Sequence, residues 1–157
     1  MKPATRELLA SRAEAWAFLA EPYHLSDWWP GIVSVEPDRR GFAVGARWQV
    51  HVVADPLHFW IFRFPRVGRP SGPTGSRTLV ITAVDPLERW SFQLFRRVSK
   101  DTDRAPAPRT VEVTLRTLAA DRTEVAVTVT SGSLEEPQLA RTAADRLYDL
   151  VQTAATL

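Results

Sequence analysis

Residues 133–157 read SLEEPQLARTAADRLYDLVQTAATL, and this stretch decides the fold. Placed on a helix at about 100° per residue, its apolar side chains occupy one arc of about 160°. They are Leu139, Ala140, Ala143, Ala144, Leu147, Leu150, Val151, Ala154, Ala155 and Leu157. An arc of this width predicts an amphipathic helix, about 30 Å long, that lies along a large apolar surface. We therefore expect the rest of the chain to build that surface.

The sequence offers two positions for the start of this helix. Ser133 and Glu136 have the S-x-x-E spacing of a capping box, in which each side chain binds the backbone N–H of the other residue. Pro137 also suits the first helical position, because the N–H of that residue has no partner inside a helix. Both starts are compatible with the residues.

The apolar face changes character along the helix. Its N-terminal half presents Ala140, Ala143 and Ala144, whereas its C-terminal half presents the larger Leu147 and Val151. Small side chains either let a helix approach a sheet closely or leave room for a guest molecule. The periodicity alone favours close packing.

Upstream of the helix, apolar and polar residues alternate with a period of two, as they do in strands with one buried face. Trp48, Val50 and Trp90 are examples. Short turns between such strands require antiparallel neighbours, whereas the segments Arg66–Arg77 and Ser99–Arg109, rich in glycine, proline or charge, predict exposed loops. We predict an α+β fold in which a curved antiparallel sheet of about seven strands wraps around the long C-terminal helix.

Two short helices are predicted after the first strand, Thr5–Ala10. Ser11 and Glu14 form a second capping box at the start of the first helix. The face of that helix expected to be buried carries Ala13, Trp16, Ala17 and Ala20. The second short helix covers Tyr23–Asp27.

The chain has 45% hydrophobic and 24% charged residues. Its length and this composition predict one globular domain, residues 1–157. No apolar run approaches the roughly 20 residues of a membrane span, and the N-terminus lacks the layout of a signal peptide. We therefore expect no stable membrane insertion and a cytoplasmic location. The absence of cysteine excludes disulfides, thiolate nucleophiles and thiolate metal sites.

The charge pattern argues against a nucleic-acid partner. The formal net charge is only +2 at pH 7. The basic residues are scattered through predicted strand ends and loops rather than gathered into one stripe, which is what nucleic-acid binding requires.

Several groups of residues carry a resemblance to a known superfamily. They are Ala13–Leu19 with Trp16; Pro22, Leu25, Trp28, Trp29 and Pro30; Gly45-Ala46-Arg47-Trp48; and Ala83-Val84-Asp85-Pro86 running into Arg89-Trp90. Followed by the long terminal helix, this order resembles the START-like (SRPBCC) superfamily, in particular its polyketide cyclase/dehydrase and lipid-transport branch. The resemblance covers essentially the whole chain and implies the helix-grip fold. The segment Asp55–Arg77 is longer than the family pattern, which indicates either an extra strand or a lid.

The resemblance also implies a deep cavity between helix and sheet that holds a hydrophobic or amphipathic small molecule. On this view the alanines of the helix form one wall, and the surplus of aromatic residues supplies the others. The residues expected to bind the ligand are Trp28, Trp29, Trp48, Val50, Trp60, Trp90, Phe92, Ala140, Ala143, Ala144 and Leu147. Tyr148 and Gln93 are candidate polar contacts.

The three histidines do not form a recognisable site. His24, His51 and His58 have neither the spacing of a helical metal-binding pair nor a cysteine to assist them. We expect surface or supporting roles for them. No catalytic residue, metal ion or cofactor is predicted.

Three functions stay open on the sequence. The favoured one is a carrier or sensor of a hydrophobic small molecule. A polyketide-type cyclase or dehydratase is the first alternative, because such enzymes work by shaping a substrate and polarising its carbonyls, which needs few recognisable residues. A protein-interaction module is the second. The chain is expected to be a monomer or a dimer.

Overall fold

In the computed structural model of the chain, the described residues are 2–53, 75–95 and 107–155, and side chains are described as far as Gln152. The elements are β1 (Ala4–Leu8), α1 (Arg12–Leu19), a 3-10 turn (Pro22–His24), α2 (Leu25–Trp28), β2 (Ile32–Glu36), β3 (Arg47–Val52), β4 (Gly75–Asp85), β5 (Arg89–Phe95), β6 (Arg109–Ala119), β7 (Arg122–Ser131), β8 (Leu134–Glu135) and α3 (Pro137–Ala155). None of the described helices is long and apolar enough to cross a membrane.

The strands form one antiparallel sheet in the order β1-β7-β6-β5-β4-β3-β2, and the short β8 pairs with the end of β7. Each strand from β2 to β7 pairs with the strand that follows it in the chain. The connections from β4 to β5 and from β6 to β7 are short enough to require antiparallel neighbours. The sheet curves around α3. The predicted α+β helix-grip fold is therefore confirmed.

The register places apolar residues of neighbouring strands side by side. Trp90 pairs with Val113, and Val113 pairs with Val127. Phe92, Val111 and Val129 form a second row in the same way. We call the face that carries these rows the inner face. The core-facing side of α3 packs with it, since α3 contacts β7 and β1 as well as α2. Helix and sheet thus share one hydrophobic core.

The long helix starts at Pro137, so the capping-box start at Ser133 is wrong. The reason is that Leu134 and Glu135 pair with the end of β7 and are therefore extended. Glu136 is instead held by Arg109 at the start of β6, whose Nε donates to the carboxylate at 2.6 Å. This ion pair fixes the start of α3 to the sheet.

The first helix is capped as predicted, but its buried face is not the predicted one. Ser11 Oγ accepts a hydrogen bond from the backbone N–H of Glu14 at 3.1 Å. The buried residues are Ala15 and Leu19, whereas the face of Ala13, Trp16, Ala17 and Ala20 is at most half-buried. Alanine fits either side of a helix. An eight-residue helix containing several alanines therefore has a poorly defined apolar face.

Several predictions fall wholly or partly outside the described residues. The segment Asp55–Arg77 does so except for its last residues, because β4 already begins at Gly75. The predicted loop Ser99–Arg109 is described from residue 107, and Arg109 is the first residue of β6. Trp60 and His58 also lie outside the described ranges.

Candidate functional site

A cluster of aromatic side chains fills the space between the two short helices and the inner face of the sheet. We call it the aromatic cluster; its members are Trp16, Trp28, Trp29, Phe42, Trp48, Trp90 and Phe92. They come from α1, α2, the connection between β2 and β3, β3 itself and β5. Residues far apart in the chain are thus brought together by the curvature of the sheet.

Trp90 lies at the centre of the aromatic cluster. Its ring centroid is 5.9 Å from that of Trp28, 4.8 Å from Phe42, 6.1 Å from Trp48 and 4.9 Å from Phe92. The Trp28 ring meets it nearly edge to face, at an interplanar angle of 70°. Edge-to-face and tilted pairs are favourable because the positive ring edge faces the negative ring face. Trp90 on β5 therefore connects the short helix α2 to the sheet through its contact with Trp28.

The connection between β2 and β3 is held by one carboxylate. Asp38 accepts hydrogen bonds from the backbone N–H groups of Arg47 and Arg40, each at 2.9 Å. These bonds, that from Arg47 foremost, hold the pKa of the Asp38 carboxyl below its usual range. The same connection places the Phe42 ring against Trp90, and the Gly41 carbonyl accepts a hydrogen bond from Trp48 Nε1 at 2.7 Å.

The α3 residues that were predicted to form one wall of the cavity are buried. Ala140, Ala143, Ala144 and Leu147 are each at most 3% exposed and belong to the core shared by helix and sheet. The same is true of the predicted aromatic and strand residues within the described ranges, which do not include Trp60. The structure thus brings the predicted ligand-binding residues of the described ranges into one core, in which they pack as closely buried side chains.

Phe42 belongs to the aromatic cluster but was not predicted from the sequence. It lies between Gly41 and Gly45, in the connection between β2 and β3. Its one signal is a large aromatic residue within a turn, where polar residues are usual. Phe42 packs on the core because Asp38 closes the turn beneath it.

The two candidate polar contacts lie apart from the aromatic cluster. The ring of Tyr148 is covered by the guanidinium of Arg6, 4.1 Å from its centroid, and Arg6 also donates to Asp145 at 2.6 Å. Gln93 alternates with the buried Phe92 and is half-buried on the outer face. Tyr148 is partly buried against the core, and neither residue is a member of the aromatic cluster.

Polar atoms within the core are few and mostly paired. Among the described residues the buried polar ones are Ser91 and Thr123. Ser91 Oγ accepts a hydrogen bond from Thr82, and Thr123 Oγ1 donates to the carbonyl of Ala10 at 2.9 Å. The buried indole nitrogens of Trp28 and Trp90, by contrast, have no hydrogen-bond partner in the part of the chain that the structure describes.

The described histidines have structural partners. The Nδ1 atom of His24 lies 2.9 Å from the carbonyl oxygen of Phe18, and its ring stacks on Phe18 at 4.2 Å. His51 Nε2 lies 3.6 Å from a carboxylate oxygen of Glu36. Within the described ranges no three His, Cys, Asp or Glu side chains come together as metal ligands would.

No family model matches the chain, and no curated protein matches it. Solved structures with the same fold are nevertheless found. The di-domain ARO/CYC BexL from the BE-7585A biosynthetic pathway is 17% identical, with a TM-score of 0.64, over 100% of this chain and 48% of BexL. The di-domain ARO/CYC StfQ from the steffimycin biosynthetic pathway is 18% identical, with a TM-score of 0.62, over 99% of this chain and 46% of StfQ. The chain therefore spans about half the length of each of these two proteins.

A further match has the same size as this chain. Ara h 8.0201 is 13% identical, with a TM-score of 0.61, over 96% of both chains. At these identities the likeness concerns the fold. The chain has the helix-grip fold that its resemblance to the START-like (SRPBCC) superfamily implies.

Proposed function

We propose that the protein binds a hydrophobic or amphipathic small molecule between α3 and the inner face of the sheet, as a carrier or sensor. The observation that supports this most is the aromatic cluster. It concentrates large, rigid apolar side chains on the inner face of the sheet and the short helices, in the same core as the small residues of α3. Apolar walls with few polar groups suit a hydrophobic guest.

Binding at this position requires side chains to move. Trp28, Trp48, Phe92 and Ala143 are 0% exposed, so other protein atoms cover them and solvent does not. A guest molecule then replaces contacts between side chains with contacts of its own. The aromatic rings are the groups to be displaced, because the alanines of α3 have only a methyl group, whose rotation moves no heavy atom aside. We expect tryptophan fluorescence to change when the molecule binds.

A polyketide-type cyclase or dehydratase is the second candidate function. It is supported by the shared fold with BexL and StfQ, whose names describe them as ARO/CYC proteins of biosynthetic pathways. Such an enzyme would use the same site, holding a poly-carbonyl chain in a shape that favours ring closure. Mass spectrometry separates the two functions, since an enzyme converts an added poly-carbonyl substrate and a carrier returns it unchanged.

Titration with Nile red, an uncharged dye whose fluorescence depends on the polarity around it, tests the site. We expect one saturable binding event in the full chain. Ala143→Leu should abolish it, because the larger side chain enters the space between helix and sheet. Ala13→Leu is the matched control, since Ala13 is exposed on α1, and it should bind the dye like the wild type.

Circular dichroism shows whether each variant is folded. Overpacking at Ala143 costs about 1–3 kcal/mol, which a domain with typical stability of about 5–15 kcal/mol tolerates. Unchanged dye binding by folded Ala143→Leu would place the site elsewhere. Weak, non-saturable binding by the wild type would contradict the proposed function itself.

A further inference from the structure

Three buried indole N–H groups of the aromatic cluster differ in whether they have a hydrogen-bond partner. Trp48, Trp28 and Trp90 are all within 1% of complete burial. Trp48 Nε1 donates to the Gly41 carbonyl at 2.7 Å. The Nε1 atoms of Trp28 and Trp90 are equally inaccessible and have no hydrogen-bond partner among the described residues. Within that part of the chain the fold therefore satisfies one donor and leaves two neighbouring donors unpaired.

An unpaired buried donor is unfavourable. Its bond to water is lost on folding and nothing replaces it, which is why most buried polar groups in native proteins are paired. The rings of Trp28 and Trp90 are in contact, with centroids 5.9 Å apart. Two unpaired N–H donors on a pair of contacting rings indicate a position for the hydrogen-bond acceptor of a bound molecule.

We propose that the molecule bound between α3 and the sheet carries a neutral carbonyl oxygen, and that Trp28 and Trp90 donate hydrogen bonds to it. This inference rests on the function proposed above and specifies its ligand class. Indole N–H only donates, so the matching group must accept. A carbonyl oxygen has two lone pairs, one for each donor.

The surroundings favour a neutral group over an anion. Both rings are packed against other aromatic rings, namely those of Trp29, Phe42, Trp48 and Phe92. Burying an ion there without a countercharge is far more costly than burying a ketone. We therefore expect an aromatic or polycyclic carbonyl compound rather than a plain hydrocarbon or a carboxylate.

Fluorene and 9-fluorenone test this directly, because the two tricyclic compounds differ in a single carbonyl group. We expect the ratio of their affinities to favour fluorenone in the wild type. Trp90→Phe and Trp28→Phe should each reduce that ratio by roughly tenfold, the size of one lost hydrogen bond. Tyr23→Phe is the control: it removes a hydroxyl donor from a side chain that is 63% exposed and lies outside the aromatic cluster, so the ratio should stay within about twofold of the wild type.

Nuclear magnetic resonance gives a readout that needs no variant to be stable. The chain has six tryptophans and hence six indole N–H signals in a ¹⁵N-labelled sample. Fluorenone should move the signals of Trp28 and Trp90 downfield, as hydrogen bonding does. Fluorene should not produce that downfield shift, and the Trp48 signal should keep its hydrogen-bonded position with both compounds.

The possible failures are distinguishable. Binding of both compounds with a ratio that is the same in the wild type, Trp28→Phe and Trp90→Phe would overturn the carbonyl proposal and leave the proposed function intact. Failure of both compounds to bind the wild type would contradict the binding function and the carbonyl proposal together. Fluorenone-specific shifts of the Trp28 and Trp90 signals would support both.

Discussion

Replacement of Trp90 by alanine tests whether the aromatic cluster holds the two layers together. Trp90 is 1% exposed and contacts four aromatic rings, whereas Trp16, at the edge of the same cluster, is half-buried and contacts the ring of Phe42 at 5.7 Å. The two tryptophans therefore form a matched pair that differs mainly in burial.

The expected loss of stability follows from those contacts. Truncating a buried tryptophan to alanine costs about 3–5 kcal/mol, and four ring contacts place Trp90 towards the upper end of that range. Removal of the unpaired indole N–H returns about 1 kcal/mol. The net loss for Trp90→Ala is then about 3–4 kcal/mol. Trp16→Ala should lose about 1–1.5 kcal/mol, since half of a large apolar side chain is buried there.

Urea unfolding followed by circular dichroism measures both losses without relying on tryptophan fluorescence. At this chain length 1 kcal/mol corresponds to about 2–4 °C in Tm, so Trp90→Ala should melt about 6–16 °C below the wild type. Equal losses for Trp90→Ala and Trp16→Ala would refute the central position assigned to Trp90.

Two further predictions concern polar groups. Thr123→Val removes the donor to the buried carbonyl of Ala10 and should lower the free energy of unfolding by about 1–3 kcal/mol. Thr142→Val, at an exposed helical threonine, should change that free energy by about 0.5 kcal/mol at most. Equal effects of the two substitutions would contradict the role of Thr123. Asp38 has a lowered pKa in the folded protein, so its contribution to stability is present above its unfolded pKa and is lost as the pH falls through the folded value. The stability difference between wild type and Asp38→Asn, from urea unfolding at several pH values, should be constant from about pH 6 to 8 and shrink below about pH 4; a difference that grows in acid would contradict this.

The large features of the fold could be predicted from periodicity. The arc of apolar residues on α3 is wide and long, and the alternation in β3, β5, β6 and β7 continues over many residues. Patterns of that length outweigh local exceptions. Because only one long helix was predicted to cover a curved sheet, the position of the shared core followed as well.

The predictions that were wrong concern features that depend on tertiary contacts. Ser133 has a good capping signal, but pairing of Leu134 with the end of β7 prevents a helix there. The buried side of α1 is set by which residues meet the core, and alanine carries little information about that.

The pairing state of the indole N–H groups is equally hidden. Trp48 differs from Trp28 and Trp90 only through the position of the Gly41 carbonyl. No spacing in the sequence encodes that distance.

Contacts between a bound molecule and α3 test the central claim most directly. Isotope-edited nuclear Overhauser measurements on the complex with 9-fluorenone detect protons of the ligand that lie within a few ångströms of protein methyl groups. Binding between helix and sheet predicts signals from fluorenone to the methyl groups of Ala143, Ala144 and Val111, which are buried on facing surfaces of the core. Signals confined to exposed side chains such as Tyr23 and Leu134 would contradict it.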